Sequence, residues 1–260
     1  MSSLQEITQP LVANQFYHIF NRGNGGQRIF LQERNYEHFL SKYKNYMLDY
    51  WDTYAYALLP NHFHLMIKVK SEKVLLEVAT EDFTKVSKSF VNKWTPNPDI
   101  PPTDLLNFKN LVNLTRATPK AYANYFLTGD PNLLRESLLQ WVVSERFRRF
   151  LLSYAKAIRS QEGDKGSLFQ KLFRRKRVDD LNYQKQLVLY LHRNYIHHGY
   201  AVDLSDDNWT SYNSMRSDRP TSLARQEVLH WFGGSANFQQ VHERYADEWS
   251  GTQKWKIEED

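Results

Sequence analysis

The chain has no cysteine among its 260 residues. A disulfide framework, a thiolate nucleophile, a Cys-ligated zinc and an iron–sulfur cluster are therefore all excluded. That absence assigns no compartment, since it fits oxidising and reducing surroundings equally. No apolar run approaches the ~18 residues that would argue for a membrane span. The opening MSSLQEITQPLVANQ lacks the basic start and apolar stretch of a secretory signal. These absences predict a soluble intracellular protein. Internal repeats and low-complexity tracts are also missing. Charge of one sign is scarce, with 34 Lys+Arg against 29 Asp+Glu for a net +5, whereas Phe, Trp and Tyr reach 15%. Cations mixed with rings suit nucleic acid, because cations meet phosphates and rings stack on unpaired bases. The 41% hydrophobic content is equally that of an ordinary globular domain. The length allows one well-buried core with additions, or two small domains, without a covalent staple.

Behind the polar leader, residues 1–14, Phe16-Tyr17-His18-Ile19-Phe20 reads as a short strand stopped by the glycine-rich Asn21–Gly26. Tyr36, Phe39, Leu40, Tyr43, Met47 and Tyr50 recur at three- and four-residue spacing, which predicts an amphipathic helix over Glu33–Tyr50. Thr53–Leu59 and His62–Val69, joined through Pro60-Asn61, read as an antiparallel hairpin. Residues 71–140 read as an insertion. Helical pieces at Val74–Val91 and Pro119–Phe126 flank a stretch from Thr95 to Pro102 whose four prolines exclude regular structure. A helix over Leu134–Arg159, a strand over Ser167–Val178 with a basic end, and a helix from Asp180 to His197 stopped by Gly199 complete the pattern. The order strand, helix, strand, strand, helix, strand is the ferredoxin-like β-α-β-β-α-β arrangement of the α+β class. The tail, 201–260, predicts helices near Ser222–His230 and Asn237–Trp249.

Two constellations carry chemistry. In His62-Phe63-His64 the imidazoles at i and i+2 project from one face of a strand and could hold one divalent cation, while Phe63 enters the other face. Two histidines in an aromatic-rich strand could equally pack and hydrogen-bond. On the later helix, Leu187, Val188, Leu191 and Tyr195 share the core face, and Tyr190 and Asn194, four apart, line its edge. A tyrosine and an amide in register beside a metal-binding strand would supply a nucleophile and an extra ligand. Tyr190 could also be a boundary aromatic among 16 tyrosines. His192 points about 200° from Tyr190 and does not join the same site directly.

Taken together, these segments resemble a known family. Leu59-Pro60-Asn61-His62-Phe63-His64-Leu65 looks like the PNHxH metal motif of the HUH single-tyrosine transposases. Tyr190-Leu191-His192-Arg193-Asn194-Tyr195-Ile196-His197-His198-Gly199 is similar to the YIHxNPVxxG motif of their REP-associated tyrosine transposase branch. Gly166–Phe173 resembles the GxLFQxxF segment that precedes it, and Tyr17–Gly23 the first strand and turn. The resemblance covers about residues 15–70 and 145–200 in the family's order, so the domain is placed at 15–200. Two departures stand: Tyr195-Ile196 replaces the usual Pro-Val, and 71–140 is longer than the compact fold requires.

The resemblance implies the HUH endonuclease fold and a cytoplasmic, nucleoid-associated enzyme that cleaves and rejoins single-stranded or hairpin DNA at short palindromic repeats. It makes Tyr190 the nucleophile of a 5′-phosphotyrosine intermediate and His62, His64 and Asn194 the ligands of Mg²⁺ or Mn²⁺. Whether such a chain acts as a monomer or a homodimer is left open. Lys171, Arg174, Arg175, Lys176 and Arg177, five cations in seven residues, are the DNA-binding candidates. A solvated strand end is the other reading of that run. Arg146, Arg148 and Arg149 form a second candidate, and Trp231-Phe232-Gly233-Gly234 either stacks on bases, covers the active site or packs on the core. Two further functions compete with strand transfer. One is a domesticated DNA- or RNA-binding protein with the same fold and little turnover, the other an unrelated hydrolase using the two histidines.

Overall fold

The computed structural model describes residues 9–78, 131–163, 166–206 and 209–249. It is an α+β assembly around one four-stranded sheet. Strands β1 (Phe16–Arg22), β2 (Trp51–Leu59), β3 (His62–Val69) and β4 (Arg174–Arg177) lie in the order β2-β3-β1-β4, and every neighbouring pair is antiparallel. Helix α1 (Glu33–Met47) connects β1 to β2, and helix α2 (Pro131–Glu162) precedes β4. Both cover one face of the sheet. Tyr36, Phe39, Tyr43 and Met47 of α1 and Val143, Phe147, Phe150, Leu151, Tyr154 and Ile158 of α2 bury against Tyr17, Ile19, Leu58, Phe63, Leu65 and Ile67. That spacing of three and four is the helical stripe a flat apolar face requires.

Local chemistry sets the boundaries. The Asn35 carboxamide oxygen accepts from the backbone N–H groups of Leu31 and Gln32, and its Nδ2 donates to Gln161, so α1 starts where α2 ends. The α1 helix stops at Met47, short of the expected Tyr50, because Tyr50 folds into the core and hands the chain to β2. Gly23 closes β1: a Cβ there would lie 1.9 Å from the Gln27 carbonyl oxygen. The expected strand over Ser167–Val178 is realised only at Arg174–Arg177. Leu168, Phe169 and Phe173 all bury in the α1/α2 layer, which alternation along a strand does not allow, and Gln27 ties down the Ser167 and Leu168 carbonyls. The helix expected over Leu134–Arg159 extends from Pro131 to Glu162, so residue 140 lies inside it; residues 72–78 are helical. The proline-rich stretch and the Pro119–Phe126 helix lie outside the described residues.

Helix α3 (Leu181–His197) covers the opposite face of the sheet. Asp180 caps it, its Oδ1 accepting from the Tyr183 N–H at 2.9 Å, and Gly199 ends it at φ +69°, a left-handed conformation suited to glycine. A bulge between Thr53 and Ala55 switches the parity of β2. Trp51 therefore faces the α1 layer, while Ala55, Ala57 and Leu59 face α3. The two alanines let α3 approach closely. The tail adds α4 (Tyr212–Arg216), α5 (Arg225–Trp231) and α6 (Ser235–Trp249), which pack on the outer side of α3 and bury it almost all round. The tail also lies along β2: the Leu58 N–H donates to the Trp209 carbonyl, Ser211 N–H to Tyr56 and Ala224 N–H to Thr53. No helix of the described residues is long and apolar enough to cross a membrane.

Candidate active site

Alternation along β3 sends Phe63 into the α1/α2 core and turns His62 and His64 toward α3. Their ring centroids are 5.2 Å apart and their planes nearly perpendicular. Helix α3 brings Tyr190 edge-on to His64 at 5.9 Å between centroids. One turn on, the Asn194 side chain lies close enough to His62 to favour its protonated form. All four residues come from one chain, so Tyr190 needs no partner subunit to reach the histidines.

Each histidine of β3 has its Nδ1 engaged. His62 Nδ1 lies 2.7 Å from Asn61 Oδ1, which can only accept, so Nδ1 is protonated and Nε2 carries the lone pair. His64 Nδ1 lies 2.9 Å from Nε2 of His18, a buried β1 residue that the sequence reading did not single out. His198 stands 4.9 Å from His62, and His197 lies 5.9 Å from Tyr190. Burial outweighs the other influences on these rings. It lowers His62 and His197 to about 4 and His18 to about 3, and holds His64 well below its ordinary value. All four are neutral at pH 7 and available as ligands or hydrogen-bond acceptors.

Asn194 is fully buried, yet neither its Oδ1 nor its Nδ2 has a hydrogen-bond partner of good geometry. A buried carboxamide left this way costs about 1–3 kcal/mol and asks for an explanation. Two imidazoles with Nδ1 committed and an amide oxygen without a donor fit a divalent cation that takes nitrogen and oxygen. Among the described residues, no three His, Cys, Asp or Glu side chains gather as a metal-binding group. His62, His64 and Asn194 alone would leave such a cation's charge uncompensated.

The five cations of 171–177 divide between faces. Arg174 and Lys176 pair with Phe20 and His18 of β1 and share their face; Arg174 lies 6.0 Å from the Phe20 ring and Lys176 5.7 Å from the Tyr183 ring. Arg175 and Arg177 pair with Ile19 and Tyr17 and turn the other way. Arg175 lies over Phe173, bonds the Gln9 carbonyl and is lowered to about 10 by burial; Arg177 is paired with Asp179. Lys171 is exposed ahead of the strand. Arg148 and Arg149 are occupied by Glu145, Arg146 packs on Tyr46 and Tyr50, and Trp231, half-buried, stacks on Tyr54 at 5.0 Å against the core. His192 faces away from Tyr190, as its position on the helix requires. It is bonded to Ser211 and His242 instead.

No family model matches this sequence, and no curated protein matches it. A solved structure, of a REP-associated tyrosine transposase bound to a REP hairpin, is similar over 86% of this chain and 92% of that one, with a TM-score of 0.45 and 14% identity.

Proposed function

We propose that the chain is a metal-dependent transferase of single-stranded DNA, built on the ferredoxin-like core of the HUH endonucleases. Tyr190 is its nucleophile, and His62, His64 and Asn194 hold Mg²⁺ or Mn²⁺. The observation that carries the reading is the meeting of Tyr190 with His64 at 5.9 Å, across the face of β3 that also bears His62.

A free phenol titrates near pH 10 and attacks poorly at neutral pH without help. When bound, the cation polarises the scissile phosphate and stabilises the charge that develops on it. The Tyr190 oxygen bonds to phosphorus as the bond from phosphorus to the 3′ oxygen breaks. The phenolic proton is released to solvent and the 3′ oxygen takes one up. The 5′-phosphotyrosine conserves the ester, so another strand's 3′-hydroxyl can reverse the step without ATP. The donor set itself favours a phosphodiester. Two neutral imidazoles and an amide neutralise none of the cation's charge, so an anionic substrate oxygen is its natural remaining ligand. Arg174 and Lys176, on the same face, are placed to hold neighbouring phosphates.

The test is incubation with single-stranded palindromic-repeat DNA and Mn²⁺, followed by a denaturing gel. Wild type should give a covalent adduct that Tyr190→Phe loses. Binding of the same strands with no adduct would favour the domesticated binder instead.

A further inference from the structure

His18 has no part in strand transfer as described above, and its contacts give it one. It is 1% exposed on β1, opposite Met66, and reaches diagonally to His64, with Nε2 and Nδ1 2.9 Å apart. The two rings lie 21° from parallel with centroids 5.0 Å apart, and Phe20 stacks 4.7 Å from His18 and 5.6 Å from His64. The three rings hold one another's planes. Two imidazole nitrogens in contact need one donor and one acceptor. A cation on Nε2 of His64 excludes the proton from that nitrogen. Nδ1 then carries the proton, and only an acceptor opposite it satisfies the bond. Asn61 supplies that acceptor for His62.

We propose that His18 is the positioning residue of His64: it accepts the Nδ1–H, fixes the tautomer whose bare Nε2 is the ligand, and with Phe20 holds the ring in the plane the cation requires. The inference rests on the metal reading of His62 and His64 and adds to it a second buried imidazole that touches neither cation nor DNA.

The experiment compares wild type with His18→Phe, which keeps a ring in the stack and removes the acceptor, and His18→Gln, which restores an acceptor. Three quantities are read: the protonated nitrogen of His64 by ¹⁵N–¹H spectra of the metal-free protein, the Mn²⁺ dissociation constant by electron paramagnetic resonance, and the metal-free melting temperature. His64 should carry its proton on Nδ1 in wild type and His18→Gln, and shift toward Nε2 in His18→Phe. Mn²⁺ binding should weaken about 10- to 100-fold in His18→Phe and recover most of that in His18→Gln. A wild-type His64 protonated on Nε2 overturns the proposal. So does a folded His18→Phe that binds Mn²⁺ like wild type. If wild type binds no Mn²⁺ in the presence of single-stranded DNA, the metal reading fails, while the metal-free spectra still decide whether His18 is the acceptor.

Discussion

Two groups of histidines meet at helix α3, one on each side, and they differ in how completely they are satisfied. On the outer side, His242 Nδ1 donates to the Phe238 carbonyl at 2.7 Å, which leaves His242 Nε2 to accept from His192 Nδ1 at 2.8 Å and His192 Nε2 to accept from Ser211 Oγ at 2.7 Å. One backbone carbonyl thus fixes every proton in the chain. The Ser211 oxygen in turn accepts the Tyr56 N–H. On the sheet side, His62 and His64 bond with good geometry through Nδ1, and the buried Asn194 amide, though beside His62, finds no partner of good geometry. Burial depresses the pKa in both groups, with His242 and His62 each lowered to about 4. A perturbed pKa therefore does not tell them apart. Hydrogen-bond saturation does: the outer group is satisfied as a clamp would be, and the inner one keeps the open valences the proposed site needs.

The sharpest way to break this comparison is to remove one member of each group. His64→Ala should reduce adduct formation by about 100- to 1,000-fold, the scale of losing an electrostatic stabiliser of the transition state, and should also lower metal-free stability, because it empties a buried ring position and leaves His18 without its partner. His192→Ala should lower stability and spare the chemistry. It takes one partner each from the Ser211 hydroxyl and His242 Nε2 in the interior, at a cost of about 2–4 kcal/mol by denaturant titration, and retains adduct formation below its melting temperature.

Acid should strain both groups together. A histidine whose folded pKa lies below its unfolded value of about 6.5 contributes fully above pH 6.5, and that stability is lost as pH falls toward the folded value. For His242 the loss is about 3 kcal/mol by pH 4. Unfolding free energy measured from pH 7 to pH 4 should fall steeply, and His242→Phe should flatten the curve.

A smaller effect comes from Asn194→Leu. Removing an unsatisfied buried amide should leave metal-free stability equal or raise it by about 1 kcal/mol, while Mn²⁺ binding with DNA weakens. Loss of stability without loss of metal affinity would return Asn194 to the clamp. The smallest effect separates cations within β4. Arg174→Ala and Lys176→Ala should each lower the salt dependence of single-strand binding by about 0.7 in log–log slope, whereas Arg175→Ala should leave the slope unchanged.

The parts of this arrangement legible in the sequence are those set by short-range periodicity. Alternation paired His62 with His64, helical spacing paired Tyr190 with Asn194, and the same spacing turned His192 away. What escaped depends on contacts distant in sequence. His18 meets His64 only because β1 and β3 adopt one register, and no local pattern states that register. The bulge at Tyr54 reverses which β2 residues face α3, and β4 shortened because Leu168 and Phe169 are both drawn inward. Ser211 and His242 became partners of His192 only when the tail folded over α3. The five-cation run read as one cluster and divides by alternation once β4 pairs with β1.

The tail that lies along β2 also covers an edge of the sheet. The three bonds it accepts from or donates to Leu58, Tyr56 and Thr53 occupy the outer edge of a nine-residue apolar strand, as an irregular extra strand would. Uncovered, that edge is a template on which further copies can add by strand pairing. A chain cut near residue 205 should therefore not persist as a folded, inactive core. It should polymerise edge to edge and scatter light, which the full chain, with its β2 edge covered, should not.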